Sequence, residues 1–246
     1  MARFGGRRIL ITGGTSGIGL AGARRLAEEG AELVVTGRNP DRLEQCRKLL
    51  PESVQLVRDD AADPDTGRRL LEAVQGGARL DGMWLNAGYA DVSPVEDVDA
   101  GFFDRMMNAN VRGPVLQLAA LSSVLNEGAS VVVTSSTSTY EGAAMASVYA
   151  ATKGALISLS RCWASALAPR GVRVNALVPG PIDTAFRDFM PGDVRKSFEA
   201  DVTGRTALGR VGSAEEAAAV ALFLLSDEAS YVTGAQYAVD GGLTMV

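Results

Sequence analysis

The feature that most constrains the fold of this chain is a glycine-rich turn between a strand-like and a helix-like segment. Arg8 to Thr12 is mostly apolar, residues 13–19 read Gly-Gly-Thr-Ser-Gly-Ile-Gly, and an Ala-rich amphipathic stretch runs from Leu20 to Glu29. A second strand-like segment, Glu32 to Thr36, completes a unit of about thirty residues, which is the length that a parallel βαβ unit requires. This order of segments therefore predicts a parallel α/β fold.

The same turn predicts a site for a dinucleotide. Glycines let the backbone approach a pyrophosphate closely, and the amides at the start of the following helix meet its negative charge. The second strand ends in Thr36-Gly37-Arg38, which offers no carboxylate to bond a ribose 2′-hydroxyl. Because an arginine at this point accommodates a 2′-phosphate, Arg38 favours NADP(H) over NAD(H). A solvated loop arginine is the alternative interpretation.

Tyr149 and Lys153 form a candidate catalytic pair. They stand four residues apart at the start of a proline-free apolar run, Ala150 to Leu167, which predicts a helix ended by Pro169. Positions i and i+4 share one helix face, so we expect the ammonium to lie near the phenol. A cation there lowers the pKa of the phenol and makes it a usable proton donor and acceptor near neutral pH.

Two further observations support a chemical role for this pair. Ser136 closes the strand-like run Val131 to Val133, and its hydroxyl could hold a carbonyl oxygen for the tyrosine. The 24 basic residues include only three lysines, Lys48, Lys153 and Lys196, so position 153 carries a lysine in a chain that mostly uses arginine. The two cations are not interchangeable at a catalytic position. A solvated helical pair without a function is the alternative.

Composition argues against several other classes of site. There is no histidine, and the two cysteines, Cys46 and Cys162, leave no zinc-type spacing and no Ser-His or Cys-His pair, so no metal is expected. A net charge of −5 and a pI near 4.9 argue against nucleic-acid or membrane partners. We expect no signal peptide and no membrane span. The 246 residues are predicted to form a single domain, residues 1–246, in the cytoplasm.

Other turns extend the predicted cofactor groove. Asp60 lies in an acidic loop after the third strand-like segment and could contact an adenine amino group, or the loop could cap the helix that follows from Pro64. Asn86-Ala87-Gly88 is a small-residue turn after the fourth, and it would let the backbone lie along the cofactor. An ordinary strand-ending turn is the alternative.

The remaining segments complete the predicted sheet and its surroundings. The later strand-like segments are Val54 to Val57, Gly82 to Leu85, Ser130 to Ser135, Val172 to Val178 and Gln236 to Val239. Helices are predicted over Ala100 to Leu125 and Glu215 to Leu225. Asn108 and Asn110 predict a kink in the first of these, because their amides compete for backbone hydrogen bonds. Residues 185–210 predict a substrate lid with an apolar wall, formed by Phe186, Phe189, Met190 and Phe198 around a bend at Pro191-Gly192.

Together these residues resemble the single-domain branch of the short-chain dehydrogenase/reductase family over essentially the whole chain. The matched elements are Thr12 to Gly19, Asn86-Ala87-Gly88, Asn110, Ser136, Tyr149-x-x-x-Lys153, Asn175, Pro179 to Thr184, Thr233-Gly234 and Asp240-Gly241-Gly242. The resemblance implies a doubly wound Rossmann fold, with a seven-stranded parallel sheet flanked by helices on both faces, and usually a homotetramer. Leu85 departs from the family, which commonly has a second asparagine there, and this puts the local sheet packing in question.

The resemblance also implies roles for individual residues. In the catalytic set, Tyr149 acts as acid and base, Ser136 orients the substrate carbonyl, Lys153 holds the nicotinamide ribose and lowers the tyrosine pKa, and Asn110 supports a water-linked proton relay. The cofactor-binding set is Gly13, Thr15, Ser16, Gly17, Ile18, Gly19, Arg38, Asp60, Ala61, Asn86, Ala87, Gly88, Tyr149, Lys153, Pro179, Gly180, Ile182 and Thr184. Ser16 replaces the usual second basic residue of the glycine turn, so NAD(H) stays possible.

The predicted function is that of an NADP(H)-dependent oxidoreductase that interconverts a ketone and a secondary alcohol by hydride transfer. A catalytically silent cofactor-sensing protein is the alternative, because a fold alone does not imply activity. An isomerase or dehydratase that uses transient oxidation also stays open. The complete set of Asn110, Ser136, Tyr149 and Lys153 favours the enzyme. No residue in the predicted lid identifies the small-molecule substrate.

Overall fold

The computed structural model describes residues 2–187 and 192–245, and its centre is a seven-stranded sheet. The strands are β1 (Arg8–Thr12), β2 (Glu32–Gly37), β3 (Gln55–Arg58), β4 (Leu80–Leu85), β5 (Leu125–Thr134), β6 (Arg173–Pro179) and β7 (Gln236–Val239). They lie in the order β3-β2-β1-β4-β5-β6-β7, and all neighbours are parallel. The predicted doubly wound seven-stranded parallel sheet is confirmed.

Helices cover both faces of this sheet. They are α1 (Gly17–Glu28), α2 (Pro40–Leu49), α3 (Thr66–Val74), α4 (Ala100–Met107), α5 (Gly113–Leu121), α6 (Ser138–Glu141), α7 (Ser147–Leu167), α8 (Gly192–Arg205) and α9 (Ala214–Leu225). One buried cluster joins Ile9 and Ile11 of β1 to α1, α2 and α9. The other joins Leu10 to α3, α5 and α7. Since β1 is buried on both faces, its sequence is continuously apolar rather than alternating.

The packing of α1 on β4 depends on a single glycine. A Cβ atom at Gly22 would lie 2.2 Å from Cζ3 of Trp84, so only glycine lets the helix approach the ring this closely. Trp84 is fully buried, and its indole Nε1 donates to Thr134 Oγ1 at 2.9 Å. This contact sets the distance between the first helix and the middle of the sheet.

The strand order reverses between β1 and β4. The chain leaves β1 towards the β2 side and leaves β4 towards the β5 side, which opens a crevice at the carboxyl ends of these two strands. Both small-residue turns predicted from the sequence, residues 13–19 and Asn86–Gly88, begin at this point. The topology therefore places them opposite each other across the crevice.

The predicted continuous helix from Ala100 to Leu125 is wrong. The structure divides it into α4, a π-helical turn at Asn108–Arg112, and α5, after which Ser122–Val124 forms a 3₁₀ turn. The predicted irregularity at the asparagines is confirmed, and Pro114 supplies its cause. Proline has no amide hydrogen, so the carbonyl of Asn110 has no α-helical partner four residues on, and the ladder must change register.

The start of the fifth strand also differs from the prediction. β5 begins at Leu125 rather than at Ser130, and its register with β4 shifts between Leu80 and Gly82. Gly128, at φ +73°, lies in this irregular portion. Because of this irregularity, the sequence pattern did not indicate a strand over residues 125–129. Leu85 is 1% exposed and pairs with Thr12 and Val133, so this departure from the family fits the sheet. Among the described residues, no helix has the length and apolarity needed to cross a membrane.

Candidate active site

The glycine turn, residues 13–16, and the Asn86 turn, residues 86–88, are bound to each other. The amides of Asn86 and Ala87 both donate to the hydroxyl of Thr12, at 3.0 and 3.1 Å. The side chain of Asn86 donates to Gly13 O at 3.1 Å. Gly13 has φ +64°, and a Cβ atom there would lie 2.7 Å from Ala87 Cα, so position 13 requires glycine for both reasons.

The start of α1 presents unpaired amides to the crevice. The first helical bond runs from Leu20 N to Ser16 O at 3.2 Å, so the amides of residues 17–19 have no acceptor within the helix. The side chain of Ser16, the N-cap residue, does not cap them. Amides of this kind at a helix start fit a pyrophosphate, so the residues present suit the predicted dinucleotide.

Three members of the predicted catalytic set meet beside these turns. Lys153 is 2% exposed, and its Nζ donates to Thr134 O at 2.9 Å and lies 5.8 Å from the ring centroid of Tyr149. A Cβ atom at Gly88 would be 3.3 Å from this Nζ, so the ammonium faces the Asn86 turn. Ser136 lies two residues beyond β5, and its side chain is close enough to Tyr149 to lower the pKa of the phenol. The structure thus brings Ser136, Tyr149 and Lys153 together.

Asn110 lies in the π-helical turn and joins the Asn86 turn to α7. It is fully buried, and its Oδ1 accepts from the amide of Tyr89 at 2.7 Å. Its Nδ2 donates to Tyr89 O at 2.8 Å and to Thr152 Oγ1 at 3.0 Å. Both amide hydrogens of the side chain are therefore used within the protein. The predicted water-linked relay through Asn110 can use its backbone carbonyl, which has no α-helical donor at Pro114.

The expectation that Lys153 lowers the pKa of Tyr149 is wrong for the protein as the structure describes it. Burial raises the pKa of Tyr149 to about 12, although the hydrogen bond with Ser136 lowers it and the charge of Glu141 raises it further. Tyr149 as a whole is half-buried, yet desolvation outweighs the other causes. Burial also lowers the pKa of Lys153 to about 8. The phenol is thus a protonated donor at neutral pH.

The residues that follow β6 form a further side of the crevice. Pro179 ends the strand and accepts from the amide of Thr137 at 3.0 Å. Gly180 packs against Asp240, where a Cβ atom would lie 2.6 Å from the aspartate Cβ. Ile182 is 7% exposed, and Thr184 lies against Gly17, 3.2 Å from the position of an added Cβ. The residues predicted to bind the cofactor near the start of the chain, 13–19, and those predicted near its end, 179–184, therefore line the same crevice.

The acidic loop after β3 is closed by Asp60 and is joined to α3 by Asp59. Asp60 Oδ1 accepts from the amide of Ala62 at 3.0 Å, so this carboxylate closes its own loop rather than capping a helix. Ala61 packs on α5, since a Cβ atom at Gly113 would lie 2.3 Å from Ala61 O. The residue that contacts α3 is Asp59, which accepts from Thr66 Oγ1 at 2.6 Å.

An arginine cluster occupies the outer end of the crevice. Arg38 and Arg58 line a pocket of about 530 Å³ together with the acidic loop. The neighbouring carboxylates of Asp59 and Asp63 pair with Arg69, at 3.2 and 3.0 Å. Because these two carboxylates are paired with Arg69, they do not neutralise Arg38 or Arg58. Arg38 is exposed just after the end of β2.

Arg42 is a member of this region that the sequence did not reveal. It lies in the first turn of α2, and its Nη1 donates to Ser16 Oγ at 3.3 Å. A cation thus reaches the glycine turn from α2, although Ser16 occupies the position of the usual basic residue. The start signal at Asn39-Pro40, where Asn39 Oδ1 accepts from the amides of Asp41 and Arg42, could have placed it there.

Comparison with known proteins agrees with this arrangement. A family model described as enoyl-(acyl carrier protein) reductase matches residues 13–244. The 3-oxoacyl-(acyl-carrier-protein) reductase of Thermotoga maritima is 34% identical over 99% of this chain and 100% of its own length. A solved short-chain dehydrogenase/reductase from Serratia marcescens matches with a TM-score of 0.91 and 30% identity, over 99% of this chain and 100% of that one. The chain belongs to the short-chain dehydrogenase/reductase family.

A further solved structure bears on the cofactor class of this short-chain dehydrogenase/reductase. A blue fluorescent protein from a metagenomic library, in complex with NADPH, matches with a TM-score of 0.92 and 31% identity, over 99% of this chain and 100% of that one. Members of the family are oxidoreductases that use NAD(P)(H). The paired turns and the unpaired amides of residues 17–19 are the parts of this member that fit such a cofactor.

The residues predicted for the lid of this short-chain dehydrogenase/reductase are described in part. Phe189, Met190 and Pro191 lie outside the described residues, as does the side chain of Phe198. Phe186 is 45% exposed, and its ring centroid lies 6.3 Å from that of Tyr149. One apolar side chain of the predicted wall therefore stands beside the phenol.

We expect the buried lysine to make this short-chain dehydrogenase/reductase less stable at neutral than at alkaline pH. The folded-state pKa of about 8 lies below the usual 10.5, so between these values the unfolded chain binds more protons and the free energy of unfolding rises with pH. Tyr149 opposes this only above its ordinary pKa of 10. Urea unfolding of cofactor-free wild type and Lys153→Met, from pH 7 to pH 10, measures the effect.

The wild type should gain stability relative to Lys153→Met across this range. Lys48→Met is the matched control, because Lys48 is exposed on α2 and should follow the wild type. Parallel curves for wild type and Lys153→Met would show that the ammonium is not destabilised in the folded state.

Proposed function

We propose that the protein is an NADP(H)-dependent oxidoreductase that interconverts a ketone and a secondary alcohol, with Tyr149 as the general acid and base. The observation that carries this proposal is the convergence of Ser136, Tyr149 and Lys153 beside the two turns at the strand-order reversal. The relative named as a 3-oxoacyl-(acyl-carrier-protein) reductase supports the reaction class.

The side chains suit ketone reduction in particular. The bound nicotinamide cofactor supplies the hydride that forms the new C–H bond. With a ketone bound, the hydroxyls of Ser136 and Tyr149, which lie close together, would each donate their single hydrogen to the substrate's carbonyl oxygen. Because the phenol is protonated at neutral pH, Tyr149 can transfer its proton to that oxygen as the C=O double bond becomes a C–O single bond. Alcohol oxidation runs these steps in reverse.

The cofactor preference follows from the arginine cluster. Arg38 and Arg58 border a pocket in which Asp59 and Asp63 pair with Arg69 and Asp60 accepts from the amide of Ala62. Arg42 adds a third cation, which reaches Ser16. A 2′-phosphate can accept charge-assisted hydrogen bonds from such groups, whereas a 2′-hydroxyl gains little from them. We therefore propose that NADP(H) is preferred and that NAD(H) is used less well.

Exposed apolar side chains, of which Phe186 lies beside Tyr149, favour a substrate with an apolar substituent. Phe186 and Met145 are each 45% exposed, and Val92 is 37% exposed. The segment after the Asn86 turn is joined to the segment before α7, since the amide of Ser93 donates to Met145 O at 2.9 Å. Arg205, at the end of α8, lies 3.6 Å from Glu141 of α6, which links the proposed lid to the active-site side of the sheet.

A substrate panel tests the function. Alkyl and aryl ketones, cyclic ketones, aldoses and the matching alcohols are offered with NADPH, NADH, NADP⁺ and NAD⁺, and nicotinamide absorbance is followed. We expect turnover of apolar ketones with NADPH, and slower turnover of polyhydroxylated substrates. Tight NADPH binding by calorimetry, without turnover of any compound, would instead support a cofactor-sensing protein.

We also propose that the protein assembles as a homotetramer. Phe103 of α4 is 46% exposed, and the outer side of α7 carries the small residues Ala151, Ser158 and Ala166, which allow close helix packing. A closed assembly of two-fold pairs would cover both surfaces. Light scattering should give the mass of four 25.6 kDa chains, and Phe103→Glu should lower it.

Leu49→Glu is the control for the assembly, since Leu49 is 54% exposed on α2, away from these helices. It should leave the mass unchanged. A wild-type monomer at micromolar concentration would contradict the tetramer.

A further inference from the structure

A continuous chain of hydrogen bonds runs from the Asn86 turn to the backbone of the proposed catalytic tyrosine. The peptide of Tyr89, directly after the turn, bonds Asn110 through both its amide and its carbonyl, at 2.7 and 2.8 Å. Asn110 Nδ2 then donates to Thr152 Oγ1 at 3.0 Å. The Thr152 hydroxyl in turn donates to Tyr149 O at 2.7 Å.

Thr152 is the link in this chain that touches α7. Its hydroxyl accepts from Asn110 in the π-helical turn and donates to the Tyr149 carbonyl in α7, so its single hydrogen and one of its lone pairs both have defined partners. Thr152 and Asn110 are both fully buried, so water cannot replace either bond. A buried polar network in which each member is satisfied holds its elements in one arrangement.

We propose that Thr152 is a positioning residue, which fixes Tyr149 relative to the Asn86 turn and thereby aligns the phenol with a cofactor bound along that turn. This inference rests on the proposed function, because it needs Tyr149 to act on a substrate beside the cofactor. Lys153, the next residue, faces Gly88 and so points at the same turn. The hydroxyl of Thr152 and the ammonium of Lys153 then tie one turn of α7 to the cofactor side.

A pair of substitutions separates the hydroxyl from the shape of the side chain. Thr152→Val keeps the branched shape and removes the hydroxyl, so Asn110 loses a buried acceptor while its two bonds to Tyr89 remain. Thr152→Ser keeps the hydroxyl. We expect kcat to fall about tenfold in the valine variant, the scale of one hydrogen bond, and to recover in the serine variant. KM and the NADPH dissociation constant should stay near their wild-type values in both.

Ser160 provides a matched control on the same helix. It is also fully buried, and its hydroxyl donates to the carbonyl three residues earlier, Ile157 O, at 2.8 Å. Ser160→Ala therefore removes the same kind of bond to the helix backbone without breaking a bond to Asn110. Its kcat should match the wild type even if its melting temperature falls.

Amide hydrogen exchange over residues 150–157 gives a second measurement that does not need a substrate. Exchange should be faster in Thr152→Val than in Thr152→Ser or Ser160→Ala. A wild-type kcat in the valine variant, or equal losses in the valine and serine variants, would overturn the inference. If the valine variant does not fold, Thr152→Ala removes the same hydroxyl with less bulk and decides in its place. A wild type without turnover would refute the proposed function instead, and unchanged exchange in the valine variant would still count against the positioning role.

Discussion

Tyr149→Phe is expected to lower turnover by ~10²–10⁴ or more, which is the scale of general acid–base catalysis. The change removes one hydroxyl, which is a protonated donor at neutral pH. The ring remains, so its contact with Phe186 at 6.3 Å and the packing of α7 should persist. Steady-state kinetics on the best substrate of the panel measures the loss, and fluorescence titration with NADPH shows whether the cofactor site is intact.

Tyr140→Phe is the matched control for this variant. Tyr140 is exposed at 51%, and its phenol bonds to Gln236 of β7, away from Ser136 and Lys153. It should keep wild-type turnover. Near-wild-type turnover in a folded Tyr149→Phe variant would remove Tyr149 from the mechanism, and a loss of NADPH binding equal to the loss of turnover would assign it a structural role.

Arg38→Leu is expected to collapse the preference for NADP(H) over NAD(H). A hydrogen bond to a charged group contributes ~1.5–3 kcal/mol, so the ratio of kcat/KM values for the two cofactors should fall by about one to two decades. The loss should come from a weaker NADP(H) value, because NAD(H) carries no 2′-phosphate. Kinetics with both cofactors on wild type and variant measures the ratio.

Arg42→Leu refines the same experiment. If Arg42 shares the 2′-phosphate, its removal should also reduce the preference, and the double variant should fall below either single one. Arg47→Leu is the control, since Arg47 lies on α2 but pairs with Glu44 at 3.3 Å. A wild type that favours NAD(H), or an Arg38→Leu variant that keeps its preference, would make Arg38 a solvated loop residue.

The sheet and most of the candidate site could be predicted because their signals are local in sequence. Gly13 to Gly19 combine a turn and a helix start within seven residues, and Tyr149 and Lys153 are neighbours on one helix. Each such pattern determines its own geometry over one or two turns of chain. The seven-stranded parallel sheet then followed from the family resemblance, and the structure agrees with it. The position of Ser136 at the end of a strand had already suggested that it lies near Tyr149.

What escaped prediction depends on contacts between distant segments. Thr152 looks like an ordinary helical threonine until Asn110, 42 residues earlier, is placed against it. Arg42 reaches Ser16 only because α2 packs beside the glycine turn. The pKa of Tyr149 was predicted to fall, whereas burial raises it. The sequence shows a nearby cation but does not show how much water the fold removes from around the phenol.

The hydrogen bonds from the amides of Asn86 and Ala87 to Thr12 affect how a cofactor can enter and leave the crevice. These two turns cannot separate without breaking both bonds and exposing the side chain of Thr12, a residue that is only 1% exposed. We therefore expect this side of the crevice to stay fixed when a dinucleotide enters or leaves, and we expect any opening to come from the opposite rim, where Thr184 lies against Gly17. The residence time of the cofactor should then depend on the residues that follow β6, whereas substitutions at the glycine turn should alter affinity through direct contacts.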